Sequence, residues 1–195
     1  MSVDWLARFQ RYGAVQHGHF LLTSGLHSPL YVQCALILQY PREAAALGEA
    51  LAARVRDARP GVVVGPALGA VLVAHEVARA LGVRALFAER AAGTLALRRG
   101  FVIAPGERVL VVEDVVTTGT TTLEVVELVR QAGGVVAGAA ALIDRTAGRW
   151  PLDVPLQALA RLDAPTYGPD RCPQCRSGIP LVKPGSREGP PKTEH

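Results

Sequence analysis

Two adjacent acids, Glu113 and Asp114, stand between a run of branched apolar residues (Val109-Leu110-Val111-Val112) and a hydroxyl-rich turn, Val115-Val116-Thr117-Thr118-Gly119-Thr120-Thr121. Such a turn ahead of a helix offers backbone N–H groups and hydroxyls where the partial positive charge of the helix start favours an anion. A phosphate suits the threonines. Carboxylates do not bind phosphate, so Glu113 and Asp114 are suited to accept hydrogen bonds from sugar hydroxyls or to hold a hydrated metal ion. Together these residues imply a phosphorylated sugar. The turn is not a Walker loop, because no Gly-Lys-Ser/Thr follows, and it lacks the glycines of a dinucleotide fingerprint.

The elements that must position these groups follow from periodicity. Apolar runs over 62–64, 109–112 and 135–143 and the segment Arg84 to Ala88 read as the strands of a parallel sheet, and ligands in open α/β sheets bind outside the carboxyl ends of such strands. Between them lie helical patterns. One opens at Pro41 with Ala44, Leu47, Leu51, Val55 and Ala58 on one face and stops at Pro60-Gly61; a second carries Val73, Val77 and Leu81; a third covers 121–132 and stops at Gly133-Gly134. The fold class is therefore α/β, an open, mostly parallel sheet with crossover helices. Ahead of it, 2–12 reads as a short helix and 18–32 as two short strands joined by a polar turn; 156–162 reads as an edge strand. Gly65-Pro66-Ala67-Leu68-Gly69 is a tight turn. Residues 90–106 show little periodicity and read as a long exposed loop or flexible hairpin, a candidate lid.

At 195 residues and 49% hydrophobic composition the chain supports one substantial core. We assign a single domain to 1–163 with its core over 61–145, and a Pro/Gly-rich tail to 164–195 that is expected to be mobile beyond Gly185. The formal charge of +4 comes from scattered basic residues, so a nucleic-acid partner is not expected; an anionic small-molecule site explains the excess. No apolar stretch is long enough for a membrane span and the start does not read as a signal peptide, which predicts a cytoplasmic protein. Three cysteines are too few for a disulfide framework. Cys172-Pro173-Gln174-Cys175 is one CxxC knuckle without a second. Four ligands there would require Cys34, a histidine or a second subunit, and the pair is taken as inert or redox-labile thiols. His17, His19, His27 and His75 show no metal spacing; His27, inside the N-terminal turn, is the one singled out for testing.

The stretch 111–121 resembles the phosphoribosyl pyrophosphate motif of the type I phosphoribosyltransferases. The segment Phe20-Leu21-Leu22-Thr23-Ser24-Gly25-Leu26-His27-Ser28-Pro29-Leu30-Tyr31 is similar to the N-terminal segment of orotate phosphoribosyltransferases, and Asp144-Arg145 to the Asp-Arg that ends their fourth core strand. The similarity covers roughly 18–149, and 172–186 is similar to a tail in some members. The resemblance implies transfer of a phosphoribosyl group from 5-phosphoribosyl 1-pyrophosphate to orotate in pyrimidine synthesis, with Mg²⁺ as cofactor held mainly through substrate and no direct protein metal ligand. It assigns Glu113 and Asp114 to the ribose hydroxyls, Thr117 to Thr121 to the 5′-phosphate, and Val115, Val116 and Arg90 to the donor. Thr117, Arg145, Thr23, Ser24, Gly25 and Tyr31 are assigned to orotate, making 1–40 the base-recognition segment, and Ala67, Leu68 and Gly69 to the pyrophosphate loop.

It also implies a homodimer whose lid, with Arg98 and Arg99, closes over the neighbouring subunit's site. Familiar members place Lys in the pyrophosphate loop and Lys and His in the lid; here only Lys183 and Lys192 exist, and arginines neutralise charge but cannot act as general acids. The chemistry is displacement of pyrophosphate from the anomeric carbon through an oxocarbenium-like transition state, helped by positioning, charge and exclusion of water. Two alternatives remain. A purine-type phosphoribosyltransferase fits less well because purines lack the carboxylate that Arg145 matches; a weakly catalytic, donor-sensing regulator that binds nucleic acid lacks a clustered Arg stripe.

Overall fold

The computed structural model describes residues 3–22 and 24–184. The chain opens with α1 (Trp5–Arg11), whose first turn is capped by the Asp4 carboxylate accepting from the Ala7 N–H at 3.0 Å. An antiparallel hairpin follows, β1 (Val15–Leu21) and β2 (His27–Val32), and then a single turn of helix, α2 (Ala35–Leu38). Pro41 sits at the first position of α3 (Pro41–Val55), where its missing N–H costs nothing. The remaining elements are β3 (Val62–Pro66), α4 (Val71–Leu81), β4 (Arg84–Ala91), β5 (Thr94–Leu97), β6 (Arg108–Val116), α5 (Thr120–Gln131), β7 (Val135–Asp144), β8 (Leu156–Arg161) and the one-turn α6 (Pro173–Arg176).

Six strands form one sheet in the order β5-β4-β3-β6-β7-β8, parallel except for β5. The sheet is buried on both faces, as its continuous Val/Leu/Ile runs require. Val63, Leu110, Val112 and Leu142 join α3 and α4 on one side, while Val62, Val64, Val109 and Val111 join Val125, Val126 and Val129 of α5 on the other. Chain order reverses between β3 and β6. After β3 the chain steps to β4, and it returns across β3 to lay down β6 on the far side, which opens a crevice at the carboxyl ends of β3 and β6.

Two elements differ from the sequence expectation. The acids are not beyond the strand end: β6 runs to Val116 because Val115 and Val116 continue the ladder opposite Ile143 and Asp144 of β7. The lid candidate is an ordered hairpin. β4 extends to Ala91 and turns back through β5, held by Phe87 and Phe101 packed edge to face at 5.1 Å.

Beyond β8 the chain folds back onto the N-terminal hairpin. Tyr167 exchanges two backbone hydrogen bonds with His27, and Val182 bridges His19 and Leu21. Cys172 and Cys175 thereby land beside His19 and His27. The expected mobility beyond Gly185 concerns residues outside those described. Among the described residues no helix is long and apolar enough to cross a membrane.

Candidate active site

Side chains alternate across a strand, so two adjacent acids inside β6 face opposite sides of the sheet. Glu113 follows Val109 and Val111 toward α5, where the Thr122 hydroxyl hydrogen-bonds to it; Asp114 follows Leu110 and Val112 toward the α4 side. Burial, and then the Asp114 charge, raise the Glu113 carboxyl to about 8. Burial also raises Asp114, against the pull of the Val115 N–H, which donates to Oδ1 at 2.9 Å. Neither acid has a basic partner among the described residues. Two buried carboxylates without a cation suit hydroxyl donors and a hydrated cation delivered with a ligand.

The turn from Thr117 to Thr120 is built to accept an anion. Gly119, at φ 78°, takes the left-handed conformation that a side chain would strain, and it precedes α5 without a side-chain cap. Apart from a long contact of 3.5 Å from the Thr120 N–H to Thr118 Oγ1, the N–H groups that open α5 have no side-chain cap, which suits an anionic ligand. Thr117, Thr118 and Thr120 are exposed, and the Thr118 and Thr120 hydroxyls meet at 2.9 Å.

Across the crevice, the loop after β3 comes against Asp114. A Cβ on Gly69 would stand 2.8 Å from Asp114 Oδ2, so only glycine lets the backbone pass. The Ala67–Leu68 peptide is cis, and Leu68 is 85% exposed. The loop assigned to pyrophosphate and the acid assigned to ribose are thus in contact, a juxtaposition the sequence did not show.

Arg145 follows β7 directly, and its N–H donates to the Val116 carbonyl at 2.8 Å, placing it beside the threonine turn. The two acids that could have claimed its side chain are engaged elsewhere. Asp144 lies 3.4 Å from Arg161 and accepts from the Thr146 N–H; Asp153 pairs with Arg130 at 2.9 Å. Burial lowers the Arg145 pKa, and among the described residues its Nε is buried without a partner and its one side-chain hydrogen bond is to the Ser28 hydroxyl, at 3.5 Å from Nη2.

The N-terminal hairpin covers this end of the sheet. Tyr31 packs on Phe20, and its hydroxyl is raised by burial and then by the Asp114 charge; Cys34 reaches the Asp114 carbonyl at 3.8 Å. Ser24 and Gly25 form the exposed tip, and Thr23 lies outside the described residues. Ser28, fully buried, is the hairpin residue that reaches Arg145. Residue-type reasoning missed it, although its place ahead of Pro29 in the resemblance segment marked a constrained position.

Arg90, expected at the donor, and Arg98 and Arg99, expected on a lid over the neighbouring subunit's site, each pair with an acid of this chain. Arg90 pairs with Glu124 at 2.9 Å and donates to the Gly93 carbonyl, on the wall of a cavity of about 280 Å³ whose lining includes neither Glu113, Asp114 nor the 117–121 turn. Arg99 and Arg98 lie 3.1 and 3.9 Å from Glu89.

Residues 35–156 match the model of the phosphoribosyl transferase domain. An orotate phosphoribosyltransferase of Pelotomaculum thermopropionicum is 56% identical over 183 residues, spanning 94% of this chain and 96% of that protein. The chain belongs to the orotate phosphoribosyltransferase family. The family member of Thermotoga maritima is 48% identical, over 91% of this chain and 95% of its own. Among solved structures, the orotate phosphoribosyltransferase of Aeropyrum pernix superposes with a TM-score of 0.69 at 29% identity, covering 80% of this chain and 92% of that one. Likeness to an adenine phosphoribosyltransferase of Rhodothermus marinus, at 22% identity and a TM-score of 0.66 over 81% of this chain and 98% of that one, shows the shared fold alone.

Proposed function

We propose that the chain transfers the phosphoribosyl group of 5-phosphoribosyl 1-pyrophosphate to orotate, releasing pyrophosphate and forming orotidine 5′-monophosphate. The observation that carries the acceptor is Arg145, a half-buried guanidinium whose Nε lacks a partner beside the threonine turn. A planar carboxylate is the ligand its fork matches. A purine presents none, which is why the purine alternative is set aside.

In this reading α5 and the threonine turn bind the 5′-phosphate and Asp114 and Glu113 take the ribose hydroxyls. The β3 loop lies against the leaving pyrophosphate, and Arg145 with Ser28 and Tyr31 orients the base. The bond from the anomeric carbon to the pyrophosphate oxygen breaks as the bond to a ring nitrogen of orotate forms, and that nitrogen's proton passes to the departing pyrophosphate or to solvent. The buried, cation-free carboxylates fit Mg²⁺ carried on the donor, which when bound screens the pyrophosphate and eases its departure. Everything else is positioning and exclusion of water. Two copies of the chain, each β4–β5 hairpin serving the other's crevice, complete the reading; light scattering gives the oligomeric state.

A turnover assay with donor, Mg²⁺ and orotate, against adenine, guanine, xanthine and uracil, tests the acceptor. Pyrophosphate release is expected with orotate alone, and its absence with orotate overturns the proposal.

A further inference from the structure

Four metal-ligating side chains far apart in sequence converge behind the N-terminal hairpin. His19 comes from β1, His27 from β2, Cys172 is the N-cap of α6 and Cys175 lies within it; one ligand atom from each lies within 4.8 Å of all the others. His19 Nε2 stands 3.0 Å from His27 Nδ1, 3.4 Å from Cys172 Sγ and 3.6 Å from Cys175 Sγ, and Cys175 Sγ stands 3.2 Å from His27 Nδ1.

Hydrogen bonding alone does not account for this arrangement. A ring nitrogen carries either one proton or one in-plane lone pair, and so has one directed partner. His19 Nε2 has three neighbours. Its other nitrogen, Nδ1, lies 2.8 Å from the Ile179 carbonyl. A carbonyl only accepts, so Nδ1 carries the proton, and in the neutral ring Nε2 points a bare lone pair at the cluster. A backbone carbonyl behind a ligating histidine is the arrangement that fixes tautomer and ring orientation at metal sites.

Distances identify the ion's class. Ligand bonds of about 2.0–2.1 Å to nitrogen and about 2.3 Å to sulfur, arranged tetrahedrally, put the ligand atoms about 3.3–3.8 Å apart. Of the four observed separations, 3.4 and 3.6 Å fall within that range and 3.0 and 3.2 Å just below it, so the side chains need to open by only a few tenths of an ångström to enclose an ion. Two nitrogens and two sulfurs select a borderline-soft cation over Mg²⁺.

We propose that His19, His27, Cys172 and Cys175 form a structural Zn²⁺ site that clamps the C-terminal segment to the N-terminal hairpin. Binding deprotonates both thiols and releases the two protons to solvent. The two thiolates neutralise the ion's charge, so the centre is electroneutral where three of its four ligands are buried. No coordination position is left for substrate, so the role is mechanical. The clamp holds residues about 150 positions apart and adjoins Ser28, the hairpin's contact to Arg145.

The test uses the full-length protein kept in reductant. Metal analysis of protein purified without chelator is expected to give about one zinc per chain. Apoprotein titrated with Co²⁺ is expected to show thiolate charge-transfer and tetrahedral d–d absorption, abolished by Zn²⁺ and by Cys175→Ala, a change at an exposed position that leaves the core untouched. Chelation is expected to lower Tm by at least about 5 °C in the wild type and to leave Cys175→Ala unmoved. A reduced wild-type protein that shows no Co²⁺ thiolate spectrum overturns the proposal. So does a spectrum that survives Cys175→Ala, or a Cys172–Cys175 disulfide that persists in reductant.

Discussion

Gly69 and Asp114 approach so closely that a Cβ on the glycine would overlap the carboxylate, at 2.8 Å from Oδ2 and 3.0 Å from Cγ. The contact joins the loop after β3 to the end of β6, the two strands between which chain order reverses. It ties the group read as ribose ligand to the loop read as pyrophosphate ligand. Gly69→Ala must therefore displace one of them, because backbone and a buried carboxylate are both poor at giving way. The expected result is a rise of about tenfold or more in donor KM, corresponding to about 1.4 kcal/mol, with Tm changed little. Gly61→Ala, at the other end of β3 with its nearest neighbour 3.8 Å away, is the control. Steady-state kinetics on both variants decide; equal donor KM values would reject the assignment of the loop.

Glu113 makes stability depend on pH in a set direction. Its carboxyl is raised to about 8 by burial first and by Asp114 second, whereas in the unfolded chain it titrates near 4.5. Between these values the folded protein holds a proton that the unfolded chain has lost, so this group's contribution is full below about 4.5 and is lost as pH rises toward 8. The loss is on the order of a few kcal/mol. Glu113→Gln removes it. Thermal melts of ligand-free protein from pH 5 to 9 should show the variant gaining on the wild type as pH rises and levelling off above 8. Parallel curves would show that Glu113 does not titrate in this window.

Arg145 and Ser28 separate acceptor from donor. Losing a charged hydrogen-bonding partner costs about 1.5–3 kcal/mol, so Arg145→Ala should raise orotate KM by roughly ten- to a hundredfold. Ser28→Ala, removing a contact of 3.5 Å, should raise it by roughly threefold or less. Donor KM should move little in either. Equal effects on the two KM values would remove Arg145 from the acceptor site.

What could be read from the residues alone was whatever is contiguous. The β6 strand, its acids and the threonine turn lie within 14 positions, from Val109 to Thr122, and their order encodes strand, rim and helix start directly. The helices of 41–55 and 120–131 were legible for the same reason, since each carries its own apolar face. What stayed hidden depends on strand order and on chain return. Nothing local says that Gly69 meets Asp114, which follows from β6 lying next to β3. Ser28 and Arg145 are 117 positions apart, and His19 and Cys172 are 153 apart. The opposite facing of Glu113 and Asp114 was missed because the strand was ended at Val112, four residues too early. β5 was missed because four residues ahead of Arg98 and Arg99 are too few to show a period.

The β4–β5 hairpin yields the remaining prediction. In this conformation Glu89 holds Arg99 at 3.1 Å and Arg98 at 3.9 Å, and Arg99 lies over the Phe87 ring at 5.6 Å. Both arginine side chains are about 60% exposed, and solvent-exposed pairs contribute about 0–1 kcal/mol, so exchanging Glu89 for a pyrophosphate is inexpensive. An arginine there adds positive charge at every working pH and never moves a proton. Arg99→Ala should therefore lower kcat/KM for the donor while leaving both limbs of the pH–rate profile in place, and Arg99→Lys should recover part of the loss. Glu89→Gln, which removes the competing carboxylate, should lower donor KM and shift Tm by no more than a few degrees. If Arg99→Ala leaves kcat/KM unchanged, the hairpin is not the lid. If it shifts a limb of the profile, a group that titrates has been lost from the site and charge neutralisation is the wrong account of what Arg99 does.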